Sequence, residues 1–289
     1  MRIGVVGLGI IGSRMAANWR KAGHTLAGWN RTRRHAEGLG VPLAATAREL
    51  AAQSDLIMVV VADPAALEQV VSGPEGIAQA ALSGKIVLNA STVGGEHNRK
   101  AECAVRTAGG EFLETPFTGS KSGAEAGKLV FYVGGRPELL RRIEPVLMQI
   151  GTKAFHFGPV GAASDAKLIM NMMLANLMQA MAEGFVLARK AGLDMQTFLD
   201  AYRVNAGWSA LAEMKTGPML KGDYSTHFSL KHMDKDLRLA LQRAHELGVS
   251  APLTERLKEV FTTAMEAGMC EDDFSTIYRL AARRSGLEA

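Results

Sequence analysis

The spacing of apolar residues changes character near the middle of the chain. In the first half, short apolar runs alternate with segments in which apolar residues recur at helical spacing. The run at 56–61 is apolar throughout, which is typical of a strand buried on both faces of a parallel sheet. This alternation predicts an α/β domain with a doubly wound parallel sheet. The predicted strands are 2–6, 24–29, 56–61, 86–89, 111–114, 129–133 and 154–157.

A different pattern follows the segment Gly158-Pro159-Val160-Gly161. No proline occurs between Gly161 and Lys190, and apolar residues recur at helical spacing, which predicts one helix of about thirty residues. Because this helix is apolar around much of its circumference, we expect a second domain or a partner subunit to cover it. The chain is predicted to have two domains, 1–160 and 161–289, the second all-α and beginning with this interdomain helix.

The composition gives no indication of nucleic-acid binding, a metal site or a membrane span. The chain has 289 residues, of which 47% are hydrophobic, and its net charge of +4 is mild. Acidic and basic residues interleave, so charge does not indicate nucleic-acid binding. Cys103 and Cys270 lack metal-ligand spacing, so we expect free thiols and no metal site. No targeting segment is recognisable and no apolar run has the length of a membrane span, so we expect a cytoplasmic protein without membrane partners.

The glycine spacing after the first strand predicts a dinucleotide-binding (Rossmann) fold. Gly7, Gly9 and Gly12 follow G-x-G-x-x-G spacing between a strand and a helix, and a second strand ends about 20 residues further on. The first glycine permits a tight turn, the second lets the backbone approach a pyrophosphate, and the third lets the helix pack closely on the sheet. The helix N-terminus then offers N–H groups to the phosphates.

The end of the second predicted strand bears on the choice of dinucleotide. NAD sites usually place an acidic residue there to bind the ribose 2′-hydroxyl, and its carboxylate would repel the 2′-phosphate of NADP. Here the position is Asn30, followed by Arg31, Thr32 and two further arginines. Guanidinium groups bind phosphate oxygens bidentately. The sequence therefore favours NADP over NAD.

Two polar residues on the long predicted helix are candidates for chemistry. Lys167 and Asn171 lie four residues apart, so they share a helix face that is otherwise apolar. Burial lowers the pKa of a lysine and makes it a usable proton donor near neutral pH. The alternative interpretation is a lysine whose stem packs on apolar surface while its ammonium group reaches water.

Other candidates lie at predicted strand ends and on the C-terminal helices. The segment 114–124 is interpreted as a strand that runs into a loop, where Thr118, Gly119 and Ser120 offer hydroxyl and backbone N–H groups to a carboxylate. A surface turn has the same composition. Thr92 follows the strand at 86–89, at the edge where ligands bind in doubly wound sheets. From their spacing alone, Lys231, Lys235 and Asp236 are interpreted as a solvent-exposed charged face of a helix.

These motifs together resemble the β-hydroxyacid dehydrogenases, the group that includes 3-hydroxyisobutyrate dehydrogenase and the glyoxylate/succinic semialdehyde reductases. Along essentially the whole chain, four family motifs occur in order: the glycine motif, the substrate motif D-A-P-V-S-G-G-x-x-G-A at 114–124, the catalytic motif G-x-x-x-K-x-x-x-N at 163–171, and K-D-L at 235–237. Ala163 replaces the glycine that leads the catalytic motif, and Thr118 replaces the family serine. Gly-Ser-Lys at 119–121 is similar to the semialdehyde reductase branch, whereas Ser122-Gly123-Ala124 departs from it.

The resemblance implies hydride transfer between a nicotinamide and the alcohol carbon of a small β-hydroxyacid. Lys167 would act as general acid and base, with Asn171 beside it. The implied substrate-binding residues are Thr118, Gly119, Ser120, Trp208, Phe228 and Asp236. The implied cofactor-binding residues are Gly7, Leu8, Gly9, Ile10, Ile11, Gly12, Asn30, Arg31, Thr32, Ala62, Asp63, Thr92 and Lys235. We therefore expect an NADPH-dependent reductase of a small aldehyde acid, such as succinic semialdehyde or glyoxylate, that works as a homodimer or homotetramer.

Several related functions share this fold. An NAD(P)-dependent dehydrogenase of the 3-hydroxyisobutyrate type is the first alternative. Imine reductases carry the same Asn-Arg-Thr signature but usually lack the catalytic lysine, and the enzymatically inactive nuclear relative of the family has also lost it. Lys167 argues against both. A 6-phosphogluconate dehydrogenase would need a much longer helical C-terminal region.

Overall fold

The computed structural model describes residues 1–288, except for the side chain of His35. The chain divides into two compact units, Met1–Leu168 and Ile169–Ala289. This division falls within the long helix, whereas the sequence placed a domain boundary just before it, at 160/161. Each unit has hydrophobic core residues of its own.

The first unit is built on a sheet whose strand order is β2-β1-β3-β4-β5-β7-β6, with β8 paired to β7. The strands are β1 (Arg2–Val6), β2 (Thr25–Trp29), β3 (Leu56–Val59), β4 (Ile86–Asn89), β5 (Glu111–Glu114), β6 (Phe117–Thr118), β7 (Leu129–Gly134) and β8 (Gly151–Gly158). Strands β1 to β5 all run parallel to one another. Their carboxyl ends therefore lie along one edge of the sheet, called the carboxyl edge below.

Helices cover both faces of this sheet. They are α1 (Gly12–Lys21), α2 (Ala47–Gln53), α3 (Pro64–Ser72), α4 (Gly95–Thr107), α5 (Ser120–Glu125), α6 (Pro137–Leu147) and the start of α7 (Ala162–Lys190). Strand residues such as Ile3 and Leu88 pack with Trp19 of α1 on one face. On the other face, Val59 packs in a second cluster with Val105 of α4. Two cores on opposite faces confirm the predicted doubly wound architecture.

One side of the sheet departs from the predicted all-parallel pattern. Strand β7 runs antiparallel to β5 and to β6, and parallel to β8. The apolar pattern predicted β7 and β8 as strands, but periodicity carries no information about strand direction. The sheet is therefore mixed, with a parallel part that holds the glycine motif.

The predicted loop at 118–123 is wrong in its secondary structure. Thr118 ends the short strand β6, and Ser120 begins helix α5. Between them the chain turns through Gly119, with φ +128°, and Ser120 itself has φ +48°. Strand β6 has only two residues, so it is too short to produce an alternating pattern, and the glycines and serines of α5 are typical of turns.

The second unit is helical, as the sequence predicts. After α7 come α8 (Met195–Arg203), α9 (Ala210–Leu220), α10 (Leu230–Glu246), α11 (Pro252–Glu266) and α12 (Ile277–Arg284). The buried stripe of α7, which includes Met178, Met181 and Phe185, packs into the core that these helices form. Helix α7 covers the predicted length, and its regular spacing without proline explains why one helix extends so far.

The structure also describes the cysteines, the hydropathy of the helices and the clusters of metal-binding side chains. Cys103 and Cys270 are free thiols, as predicted. Within residues 1–288 no helix combines the length and hydropathy that a membrane span requires. The same residues contain no group of three or more His, Cys, Asp and Glu side chains that could hold a metal ion.

A buried ion pair fixes the segment that leads into α10. The ammonium of Lys215 lies 2.7 Å from Oδ1 of Asp273, and both side chains are almost fully buried. The other oxygen of Asp273 accepts hydrogen bonds from the backbone N–H groups of His227 and Phe228. Burial alone would raise the pKa of Asp273, but the Lys215 charge and the donated hydrogen bonds outweigh it and hold that pKa below its ordinary value.

We expect Lys215→Met to lower the free energy of unfolding by about 3–5 kcal/mol, because it leaves a buried carboxylate without its cation. The control is Lys231→Met, which removes an exposed pair with Glu271 and should cost about 1 kcal/mol or less. Urea denaturation measures both.

The lowered pKa of Asp273 also determines how the free energy of unfolding changes with pH. Its folded-state pKa lies below its unfolded value, so ionised Asp273 stabilises the folded wild type above about pH 4. This stabilisation is lost as the pH falls further. The difference between Lys215→Met and the wild type should therefore be smaller at about pH 3 than at pH 7. An equal cost at both pH values would contradict this account.

Candidate active site

The glycine motif forms the turn between β1 and α1 in the predicted way. Gly7 has φ +95°, and a Cβ atom there would lie 2.0 Å from the carbonyl oxygen of Val60. A Cβ atom on Gly12 would lie 2.0 Å from the carbonyl oxygen of Gly7. Around Gly9, by contrast, no heavy atom lies within 4 Å of the Cβ position, so its backbone faces open space. Two glycines thus allow close packing, and the third leaves room for a pyrophosphate at the start of α1.

Asn30 connects this turn to the loop after β2. Its side-chain oxygen accepts a hydrogen bond of 3.0 Å from the N–H of Leu8, and its amide nitrogen donates one of 2.9 Å to the carbonyl of Thr32. The Asn30 side chain therefore shapes the turn around Leu8. Arg31, the next residue, is exposed at the carboxyl edge. No acidic side chain occupies the end of β2, as the sequence shows.

The remaining predicted cofactor positions of this unit follow β3 and β4. Ala62 is exposed, and Asp63 accepts a hydrogen bond of 2.8 Å from the N–H of Ala66, which caps α3. Thr92 is half-buried just beyond β4. Next to it, the hydroxyl of Ser91 accepts a hydrogen bond of 2.9 Å from the N–H of Val61. Because β1 to β4 are parallel, all these positions share the carboxyl edge with Ile10 and Ile11.

The predicted carboxylate-binding residues lie beyond the end of β5. Strand β6 is antiparallel to β7, which is antiparallel to β5, so β6 continues in the direction of β5 past the carboxyl edge. Thr118 at its end is exposed, and Gly119 and Ser120 are half-buried. The hydroxyls of Ser120 and Ser122 lie 3.4 Å apart. These residues are therefore close in space to one another and project past the same edge as the glycine turn.

Lys167 and Asn171 lie one turn apart on α7. Lys167 is half-buried in the first unit, near the division between the units. Asn171 is buried, and its amide donates a hydrogen bond of 2.6 Å to Oδ2 of Asp236 on α10. The ammonium of Lys235 lies 3.0 Å from Oδ1 of the same carboxylate. The structure thus brings three predicted site residues of the second unit together, although 65 positions separate Asn171 from Asp236 in sequence.

The two predicted aromatic residues are in separate aromatic groups of the second unit. Trp208 packs edge-on against Tyr202, with ring centroids 5.2 Å apart. Phe228, just before α10, stacks on His232 at 6.2 Å and meets Phe274 edge-on at 6.1 Å. Both are half-buried, so each keeps part of its ring accessible.

One buried carboxylate has a larger structural role than its sequence position indicates. Glu114, the last residue of β5, is fully buried and accepts hydrogen bonds from the first turn of α7 and from Asn98 of α4. In the sequence, Glu114 stands out only as the first residue of the substrate motif. An acidic residue directly after the apolar pair Phe112-Leu113 was the available signal. Asn98 and Ser164 gave no comparable signal.

Two family descriptions match consecutive parts of this chain. Residues 2–158 match the family described as the NAD binding domain of 6-phosphogluconate dehydrogenase. Residues 161–281 match the family described as NAD-binding of NADP-dependent 3-hydroxyisobutyrate dehydrogenase. A nicotinamide dinucleotide is therefore the cofactor of this chain, in agreement with the open backbone at Gly9.

Similar proteins cover nearly the whole chain. Glyoxylate/succinic semialdehyde reductase 2, chloroplastic, of Arabidopsis thaliana is 34% identical over 290 residues, which cover 99% of this chain and 81% of the relative. A structure of 3-hydroxyisobutyrate dehydrogenase from Mycobacterium tuberculosis with L-serine superposes with a TM-score of 0.87 at 29% identity, covering 96% of this chain and 98% of the other. A structure of Psf3 in complex with NADP+ and 2-OPP gives a TM-score of 0.89 at 26% identity, covering 96% and 99%.

The glycine turn, the lysine and asparagine on α7 and the Lys-Asp pair on α10 occur in the order that the resemblance implied, and the matches extend over both units. The chain therefore belongs to the β-hydroxyacid dehydrogenase family of NAD(P)-dependent oxidoreductases.

Proposed function

We propose that this protein reduces a small aldehyde acid, of the succinic semialdehyde or glyoxylate type, to the hydroxyacid with NADPH, and that Lys167 is the general acid. The observation that carries the proposal is the pair Lys167 and Asn171 on one face of α7, with the Asn171 amide held by Asp236. The name of the Arabidopsis thaliana relative supports the substrate class. The similarity to 3-hydroxyisobutyrate dehydrogenase supports a second candidate, the NAD(P)-dependent oxidation of 3-hydroxyisobutyrate.

The proposed reaction needs a proton at the carbonyl oxygen. The reduced nicotinamide, when bound, supplies the hydride that reaches the carbonyl carbon. Lys167 gives its ammonium proton to the carbonyl oxygen, which becomes the hydroxyl of the product, and water then reprotonates the neutral amine. Asn171 cannot rotate freely, because its amide nitrogen is bound to Asp236, so its side-chain oxygen keeps one orientation one helical turn from the lysine.

A bound substrate carboxylate needs hydrogen-bond donors from the protein. Thr118 and Ser120 carry hydroxyls, and Gly119 carries a backbone N–H without a side chain to obstruct it. We assign the carboxylate to these three residues. Phe228 and Trp208 would provide apolar walls, and Lys235 and Thr92 would contact the cofactor.

The preference for NADP rests on the loop after β2. Because the Asn30 amide is bound to Leu8 and Thr32, the exposed Arg31 is the residue we assign to the 2′-phosphate. Thr32 and the neighbouring arginines contribute to the same basic loop. The position after Trp29 is Asn30, whose neutral side chain does not repel this phosphate as a carboxylate would.

Lys167→Ala should lower kcat for NADPH-dependent reduction of succinic semialdehyde by about 10²–10⁴-fold, because it removes a positioned general acid. The dissociation constant for NADPH, measured by fluorescence titration, should remain close to that of the wild type. The matched control is Lys190→Ala, which removes an exposed lysine from the last turn of the same helix.

A Lys167→Ala variant with wild-type kcat would remove this residue from the mechanism. Assays with glyoxylate, with 3-hydroxyisobutyrate and with a cyclic imine complete the test of the substrate class. Faster oxidation of 3-hydroxyisobutyrate would favour the second candidate, and activity on imines alone would refute both.

Arg31→Ala should weaken NADPH binding by about tenfold to a hundredfold, since a charge-assisted hydrogen bond contributes about 1.5–3 kcal/mol. NADH binding should hardly change, because NADH has no 2′-phosphate. Lys21→Ala is the control for net charge, because Lys21 ends α1 at the opposite edge of the sheet. Titrations with both cofactors measure the selectivity; equal losses for NADPH and NADH would contradict the assignment.

We also propose a homodimer or homotetramer assembled through α7. One face of this helix is exposed in the single chain although it is apolar or small: Ile169, Met173, Ala180, Gly184 and Leu187. Met173 and Leu187 are 64% and 70% exposed. An exposed apolar stripe of this length is typical of a helix that packs against a second copy.

Light scattering should therefore show at least a dimer at micromolar concentration, and Met173→Glu with Leu187→Glu should shift it toward the monomer. Val204→Glu, at an apolar residue that is 88% exposed elsewhere in the same unit, should leave the assembly intact. A wild-type monomer would overturn the proposal.

A further inference from the structure

The carboxylate of Glu114 accepts hydrogen bonds at both oxygens, and all its donors lie in the first unit. Oε1 accepts from the backbone N–H of Gly161 at 2.7 Å and from that of Ala163 at 2.8 Å. Oε2 accepts from the hydroxyl of Ser164 at 2.6 Å and from the amide of Asn98 at 2.9 Å. The end of β5 is thereby bound directly to the first turn of α7 and to α4.

The direction of these hydrogen bonds identifies the charged form of Glu114. The Asn98 amide uses its two hydrogens on Glu114 and on the hydroxyl of Ser164, which leaves that hydroxyl's only hydrogen for Glu114. The Asn98 oxygen in turn accepts from the amide of Asn89 at 2.7 Å. In each hydrogen bond to Glu114 the partner is therefore the donor, and the carboxylate donates none.

Two opposing effects act on this carboxylate. Burial raises the pKa of Glu114 above its ordinary value, and the hydrogen bonds from Ser164, Gly161 and Ala163 offset this rise only in part. The first turn of α7 adds the positive end of the helix dipole, which favours a negative charge at this place. A buried anion that is fully bonded is costly to disturb, because removing it leaves several buried donors without an acceptor.

The surrounding backbone is built to admit this side chain. A Cβ atom on Gly134, the residue of β7 that pairs with Glu114, would lie 2.2 Å from Oε1. Gly161, which donates to the same oxygen, has φ +109°, a conformation that favours glycine. A Cβ atom on Gly95 of α4 would lie 2.9 Å from the Cα atom of Gly161. Glycines on three sides thus allow the strand, α4 and the start of α7 to meet around one carboxylate.

The bonded groups lead to three parts of the proposed site. Lys167 follows Ser164 by one helical turn, so the position of its Cα atom depends on where α7 begins. On the other side, the oxygen of Asn89 accepts from the N–H of Ser91, next to Thr92. Glu114 itself leads through two residues into β6 and Thr118.

We propose that Glu114 is a positioning residue for Lys167: its carboxylate fixes the first turn of α7 against the ends of β4 and β5, and so sets the distance between the lysine and the bound substrate. This inference rests on the proposed role of Lys167. A misplacement of about 1 Å at a reacting group can cost about a hundredfold in rate. The effect of Glu114 should therefore be on kcat and should act through the lysine.

A double-mutant cycle tests that dependence. Glu114→Gln keeps the shape of the side chain but turns one acceptor into a donor. It should lower kcat by about tenfold to a hundredfold while the dissociation constant for NADPH changes by less than about twofold. In the Lys167→Ala background the same substitution should cause no further loss, because the group that it misplaces is gone. Glu114→Asp, which keeps both acceptors and the charge, should recover part of the rate.

Two further variants separate positioning from general stability. Ser54→Ala removes another buried hydroxyl, one that donates to the carbonyl of Leu50 at 2.7 Å near the opposite edge of the sheet, and should leave kcat unchanged. Ser164→Ala removes a single donor to Glu114 and should lower kcat by about threefold to tenfold. It takes the place of Glu114→Gln in the cycle if that variant does not fold, as judged by circular dichroism.

The outcomes are distinguishable. Equal fold-losses from Glu114→Gln in the wild-type and Lys167→Ala backgrounds would overturn the positioning role and leave the proposed function intact. A loss of thermal stability with wild-type kcat would overturn it as well. A wild-type kcat in Lys167→Ala alone would overturn the proposed mechanism first, and the positioning role with it.

Discussion

Backbone N–H groups at the carboxyl edge of the sheet need acceptors, and this requirement organises the first unit. Where parallel strands end, the chain leaves the ladder of sheet hydrogen bonds while it is still buried. Side chains accept in place of the next strand: Asn30 accepts from Leu8, Ser91 from Val61, and Glu114 from Gly161 and Ala163. The edge where a dinucleotide binds is therefore also the edge that these polar residues keep rigid.

In the second unit, two buried carboxylates accept hydrogen bonds from groups that are distant in sequence. Asp273 holds the segment before α10 through Lys215 and two backbone N–H groups. Asp236 lies further along α10 and is bound by Asn171 and Lys235. The two aspartates have different partners and different consequences. The first fixes the loop that carries Phe228, and the second fixes the asparagine that follows the proposed catalytic lysine.

Local signals in the sequence predict most elements but not their directions. The strand at 111–114 and the helix that ends at Lys190 have the predicted bounds. The strand is an apolar pair between two glutamates, and the helix is a regular apolar pattern without proline. The antiparallel course of β7 could not be predicted, since direction depends on how the connections cross the sheet. Strand β6 was missed because two residues are too few for an alternating pattern, and helix α5 was missed because its glycines and serines individually favour turns.

The candidate site shows the same limit. Lys167 and Asn171 could be paired from helical spacing alone. The partners of Asn171 and Glu114 could not, because Asp236 is 65 residues from the first and Ser164 is 50 residues from the second. Contacts of that separation follow from the folded topology and leave no periodic trace.

Gly134 gives the buried carboxylate a consequence for sequence variation. Its φ lies outside the left-handed region, so the backbone conformation there suits any residue. The side chain of Glu114 excludes a Cβ, because its Oε1, Cδ and Cγ atoms would lie 2.2, 2.9 and 2.9 Å from it. An aspartate at position 114, as in the family motif, is shorter by one methylene and would withdraw that oxygen. A residue with a Cβ at position 134 therefore requires a shorter side chain at position 114, whereas a shorter side chain at 114 is compatible with glycine at 134.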